Sequence, residues 1–231
     1  DILRTHRETI DRREEWMCAR SVIDGKVVLA GQDYPERVVD YRRDASHTVV
    51  LTGAQAWNAG SFAGSRMADL QSWITRVRRA KFGGPVSTVV VGSAVLDYLL
   101  KDDDVKRQLD QTVRGTNADL NTGLRTGEYI EYIGMLGPNV RLVVNSDYYQ
   151  LPNGSAETFV GEGDVVLIGP NVNGVRTFGA ILDEKAGFRA QPVFPKMWSQ
   201  EDPSATFVMS QSAPLPVVVN PNNTLKATVL A

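Results

Sequence analysis

Ser93 lies in "VVVGSAV", where a β-branched run meets a helix-forming stretch, so a serine stands on a strand-to-helix turn as it does in nucleophile elbows. The G-x-S-x-G spacing of such an elbow is absent, and the chain's only histidines are His6 and His47. An N-cap for the following helix is the simpler role for Ser93. Asp102, Asp103 and Asp104 form a carboxylate run that could attract a metal. Adjacent helical positions point in different directions, however, and do not converge on one ion without other ligands. A helix cap with favourable dipole charge accounts for the run. Arg76, Arg78, Arg79 and Lys81 are the one basic cluster. They fall in the last turn of a predicted helix, where cations complement the macrodipole, and phosphate contact is the competing reading. "GSFAGSR" and "GEGDVVLIG" have glycines at the wrong spacing for phosphate loops and no lysine to reach a phosphate. No catalytic, cofactor-binding or metal-ligating residue is therefore assigned, and no cofactor is expected.

Composition sets the frame for these side chains. The chain has 231 residues, 42% hydrophobic and 23% charged, which fits a globular protein with one large or two smaller cores. No run approaches the ~18 apolar residues that a membrane helix requires. Cys18 is alone, so no intrachain disulfide is possible, and a buried free thiol in a reducing compartment is expected. A net charge of −2 lacks the basic excess of proteins that hold nucleic acid by electrostatics. The first residue is Asp1, and the chain is expected to be a fragment or processed product with residues upstream.

The opening 22 residues read as one helix. Leu3, Ile10 and Met17 recur at heptad spacing, and Arg4/Glu8, Arg7/Asp11 and Glu8/Arg12 are opposite-charge pairs four apart. The stripe is thin for a helix of roughly 33 Å at 1.5 Å per residue. It suits a helix laid along a flat body with water outside, or else a short coiled-coil arm. After Asp24-Gly25, a hairpin is predicted from Lys26–Ala30 and Arg37–Arg42, joined through Gly31, Asp33 and Pro35. "GAQAWNAGSFAGS", residues 53 to 65, reads as a long loop at a domain crossing.

Ser65 should cap a helix bearing Met67, Leu70, Ile74 and Val77, which stops at Gly83-Gly84-Pro85. A buried strand over Val86–Val91 follows, then a helix with Leu96, Leu99 and Leu100. Asp102 should cap a third helix with Val105 and Leu109 inside. Residues 114 to 128 read as a mobile polar loop, and Tyr129–Met135 with Val140–Asn145 as a second hairpin around "LGPN". From Val165 onward the pattern is strand and turn. Pro214 and Pro216 call for an extended edge segment, since each lacks a backbone donor. Leu225, Ala227 and Val229 alternate with Thr224, Lys226 and Thr228, so the last strand needs cover on one face. That cover is expected from the opening helix and hairpin, making the middle of the chain an insertion in a discontinuous domain.

"REEWMCARSVIDGKVVLAG", "VVLIGPNVNGVRTFGAI" and the closing "FPKMWSQEDPSATFVMSQSAPLPVVVNPNNTLKATVLA" resemble, in order, the major capsid proteins of lambda-type tailed phages. The resemblance is strongest from Asp164 to Ala231, where "PK-x-W", Asp202-Pro203 and "QSAPL" keep the family's spacing; residues 53 to 127 match loosely. It implies an α+β fold, the tailed-phage major capsid fold: an L-shaped plate with a peripheral domain of long helix and strands and an inserted axial domain. Residues 1–52 and 161–231 would be peripheral, and residues 53–160 axial, with the last strand interior to the peripheral sheet. It also implies a structural subunit and no enzyme. Its partners would be other copies in pentamers and hexamers, with scaffold, protease, portal and decoration proteins besides. Packaged DNA would be met non-specifically, and no membrane at all. The location would be the virion, and the host bacterial cytoplasm during assembly. Two alternatives from the residues themselves are a serine hydrolase using Ser93 and a nucleic-acid-binding module using Arg76 to Lys81.

Overall fold

The computed structural model describes residues 2–31, 34–113, 130–151 and 154–231. Helix α1 (Ile2–Ile23) opens it, and its buried residues are Glu14, Trp16, Met17, Ser21 and Ile23, all in the second half. The expected Leu3–Ile10–Met17 stripe fades toward the start, since Leu3 is 52% exposed. Surface charges hold that half instead, with Arg4–Glu8 at 2.8 Å and Arg7–Asp11 at 3.1 Å. Glu8 does not pair with Arg12, whose guanidinium takes Glu15 at 2.8 Å and Asp147 at 2.6 Å. Gly25, at φ +68°, ends the helix in the left-handed conformation that costs glycine nothing.

Strands β1 (Lys26–Gly31) and β2 (Tyr34–Asp40) form the predicted antiparallel hairpin, with Val28 opposite Val38. Pro35 falls inside β2 rather than in the turn, tolerable because β2 pairs only with β1. Asp33 lies outside the described residues. Then come β3 (Thr48–Val50), α2 (Arg66–Arg79), β4 (Thr88–Val91), α3 (Ser93–Lys101) and α4 (Asp103–Val113). The predicted 114–128 loop lies outside the described residues. Beyond it are β5 (Ile130–Met135), β6 (Arg141–Asn145), β7 (Tyr148–Gln150), β8 (Ala156–Thr158) and β9 (Asp164–Ile168). The chain continues through β10 (Gly174–Phe178), β11 (Phe194–Gln200), β12 (Ala205–Gln211), β13 (Pro214–Val218) and β14 (Thr224–Thr228).

Six of these strands make one sheet in the order β3-β14-β9-β4-β6-β5. Helices α2, α3 and α4 supply Leu70, Val77, Leu99 and Val105 to its core, against Val89, Leu142, Leu167 and Leu225, every one fully buried. Leu225, Ala227 and Val229 are all at 0% exposure, so the alternation predicted for the last strand holds. So does its interior place, between strands of the two segments expected to be peripheral, but the expected pairing with the opening hairpin does not. β14 runs antiparallel to β9 and parallel to β3, under α2, and not in a sheet with the opening hairpin. Alternation names the buried face but not the partner, and β3 is a three-residue strand that no periodicity reveals. The strands of this sheet come from all three segments of the expected division.

The remaining strands pair in twos: β1-β2, β7-β8, β10-β13 and β11-β12. Pro214 and Pro216 lie in β13, which pairs only with β10. Around α1 two small clusters form, Trp16, Met17, Val27, Tyr149 and Phe159 in one, Ile23, Val160 and Val166 in the other. Helix α1 also lies along β12 and β13 with its outer side exposed, the arrangement expected of a helix on a flat body.

Candidate functional site

Ser93 is exposed and is the first residue of α3; the N-cap position belongs to Gly92 and carries no side-chain bond. Gly92 is there for space, since a Cβ would come within 2.2 Å of the Gly161 carbonyl oxygen. Neither histidine is turned to Ser93. His6 Nδ1 is 3.2 Å from Ser210 Oγ, and His47 Nδ1 is 2.8 Å from the Thr224 carbonyl oxygen. Burial depresses the His47 pKa below its usual value, although that carbonyl opposes the shift. Cys18 is half-buried and free, its thiol pushed up by burial and by Glu14.

Asp102 caps α4 as predicted, accepting from the Asp104 amide at 3.0 Å. Asp103 and Asp104 face Lys106 and Arg107 at 3.7 and 3.8 Å on the exposed side. Among the described residues, no group of three or more acidic, histidine or cysteine side chains could hold a metal. Ser65 caps α2 by accepting from Ala68. Arg76 leaves the basic cluster to donate to the Ser46 carbonyl at 2.8 Å, and Lys81 lies 5.3 Å from the Phe82 ring centre. Arg78 and Arg79 remain exposed on the last turn, so the cluster does not converge on one point.

The half-buried chemistry is concentrated where α1 meets the six-stranded sheet. Lys226 of β14 reaches Asp24 at 2.9 Å and Asp164 at 3.1 Å, and Thr228 Oγ1 donates to Asp164 at 2.6 Å. Arg20 completes the group, 3.3 Å from Asp24 and 3.1 Å from Glu157. Burial works against both charges, yet Lys226 and Arg20 hold the Asp24 carboxyl below its usual range. Asp24 and Asp164 likewise raise the Lys226 ammonium against the cost of burial. Arg43 donates to the Val22 and Ile23 carbonyls at 3.2 and 2.8 Å, capping α1, and to Thr48 and Thr224 on β3 and β14. Burial lowers its pKa. Sequence reasoning missed this joint because Arg20, Asp24, Arg43, Asp164 and Lys226 share no motif. The one trace is the position of Lys226 within an otherwise apolar-alternating strand.

Two uncovered surfaces among the described residues combine apolar area with a defined shape. The outer half of the β11–β12 hairpin exposes Met197 at 67%, and Trp198 and Phe207 at 41% each. Those two rings stack at 5.3 Å between centres. The other is an apolar groove of about 840 Å³ between α1 and the Thr177–Gly179 and Ser210–Leu215 stretches. Neither surface has the convergent polar groups of a catalytic cleft.

The family model for phage major capsid protein E matches residues 1–229. The major capsid protein of Escherichia phage N15 is 31% identical over 90% of this chain and 61% of its own length. That of Escherichia phage lambda is 28% identical, over 95% of this chain and 64% of the relative. The chain thus spans about three fifths of the length of the curated relatives it matches. Among solved structures, the putative capsid protein of a prophage of Escherichia coli CFT073 superposes with a TM-score of 0.77. It covers 96% of this chain and 64% of that one at 23% identity, a likeness of fold. With a helix, a six-stranded sheet and paired strands of one described body, and with the family match running almost end to end, the chain belongs to the phage major capsid protein E family.

Proposed function

We propose that this chain is the body of a major capsid subunit, which assembles with copies of itself into the icosahedral shell that encloses phage double-stranded DNA. The observation that carries the reading is the match of the family model over residues 1–229. The role is structural. Pentamers and hexamers of the subunit would be held by many modest contacts whose strength sums over the shell. Scaffold, portal, protease and decoration proteins would be its transient or minor partners. Assembly would take place in the host bacterial cytoplasm and end in the virion.

Within the subunit, the axial domain is best drawn around the six-stranded sheet with α2, α3 and α4, and the peripheral domain around α1 and the paired strands β1-β2, β7-β8, β10-β13 and β11-β12. Strands β3, β9 and β14 then stand on the axial side, and the Asp24–Lys226–Asp164 group is the joint between the two. Expression of the full-length protein in bacteria, followed by electron microscopy, tests the role. Closed shells of uniform size are expected. A protein that stays monomeric at high concentration, with and without the neighbouring head genes, would overturn it.

A further inference from the structure

Resting on the reading of this chain as a shell subunit, we propose that the outer half of the β11–β12 hairpin of one copy docks into the groove beside α1 of the next. The hairpin end is shaped as a knob. Met197, Trp198 and Phe207 are exposed apolar side chains on it, and among the described residues no further strand joins the pair β11-β12 on either edge. The turn beyond them carries Glu201 and Asp202, both exposed, and no cation. The groove has the opposite character. Ile10, Met17, Phe178 and Leu215 give it apolar walls, and Arg13 is the only charged residue on its lining. The Arg13 guanidinium stacks over Trp16 at 4.6 Å, which fixes its position, and among the described residues it has no carboxylate partner. An aromatic knob with two anions thus faces an apolar groove with one cation.

The knob does not fill the groove of its own chain, because its rings remain exposed while the groove stands open. A second copy carries the matching pair. Trp198 and Phe207 are each 41% exposed, so completing their burial would remove roughly 120 to 200 Å² from water, about a fifth of the ~800 Å² per partner in a standard interface. The contact is therefore weak alone and gains strength by repetition. It is also head-to-tail, with different surfaces on the two sides, the kind of contact that closes rings when the rotation between copies allows.

The test is a charge swap read by sedimentation velocity over a concentration series. Arg13→Glu on one side, and Glu201→Arg with Asp202→Arg on the other, should each weaken self-association at least tenfold. Combining them should restore it to within about threefold of the parent. Trp198→Ser with Phe207→Ser, which alters exposed side chains only, should weaken it at least tenfold while circular dichroism stays unchanged. If Arg13→Glu fails to fold, the hairpin variants still decide. A swap that restores nothing, a hairpin variant that associates like the parent, or a parent that is monomeric throughout would overturn the docking. Shell formation by the full-length protein is scored separately. Shells with a swap-insensitive association remove only the docking, and a restoring swap without shells removes only the shell reading.

Discussion

The six-stranded sheet and the region around α1 are built on different principles. In the sheet, central strands from distant parts of the chain bury their core-facing side chains, and Leu167, Leu225 and Val89 are at 0% exposure. Around α1, pairs of strands share two small clusters, while Leu3, Val38, Met197 and Trp198 stay at 41% exposure or more. The first region satisfies itself within one chain. The second leaves surface for others to cover, and holds its place through ion pairs and a single arginine cap. On the proposed reading, the sheet would be the body that is stable before assembly, and the region around α1 the margin whose burial is deferred until neighbours arrive.

Removing Thr224–Ala231 should break the contrast most. It takes an interior strand from the sheet, leaves β3 without its partner and β9 with an open edge beside β4, and should unfold the core outright in circular dichroism and thermal melting. Leu225→Ala alone should cost ~2 to 5 kcal/mol in denaturant titration, as buried leucines do. A deletion that kept the parent's melting temperature would show that the sheet is not self-sufficient.

Lys226→Met probes the joint. It strips the ammonium from between Asp24 and Asp164, which are mostly buried, and should cost about 3 kcal/mol. The linkage has two arms. Asp24, depressed on folding, contributes stability above its unfolded pKa of about 4, which is lost as pH falls through the folded value. Lys226, raised on folding, contributes below about 10.4, and that is lost as pH rises through the folded value. Lys226→Met should flatten both limbs of a plot of unfolding free energy against pH.

His47 gives a smaller effect at milder pH. Its pKa is depressed by burial, so its contribution is complete above the unfolded value of about 6.5 and is lost as pH falls toward the folded one. The melting temperature of the parent should drop as the pH falls below about 6.5, and that of His47→Asn should drop less. An equal drop in both would move the titration elsewhere. At the bottom of the scale, Arg4→Ala removes an ion pair whose side chains are 74% and 62% exposed. It should shift stability by no more than about 0.5 kcal/mol, and by less in high salt. A larger loss would mean that the first half of α1 is held more firmly than its exposure indicates.

The sequence made elements legible where a local rule applied. Ser65 and Asp102 were readable as caps because the capping bond spans three residues, and the last strand because its side chains alternate. The partner of that strand was not readable. Lys226 is opposite Thr48 on one side and Val166 on the other, and nothing local at any of these positions specifies the pairing. The Ser93 cap failed by one residue because Gly92 is chosen by a long-range contact with Gly161. Arg43 and Glu14 were invisible for the same reason, since a charged residue in sequence carries no mark of the carbonyl or guanidinium it will meet. What identified the candidate role was the order of whole segments, not any side-chain chemistry.

The position of β14 between β3 and β9 also sets a timetable. His47, at the β3 edge, waits for a Thr224 that is made 177 positions later. Until then β9 has an open edge, and β3 has nothing to join. Pairings this distant close slowly, and during synthesis the half-built sheet presents unpaired backbone to any other chain nearby. A high concentration of half-made chains is thus a hazard until residue 228 is available to close the sheet. The strand acts as a clock, because the core of this sheet cannot close before Thr224–Thr228 are in place between β3 and β9.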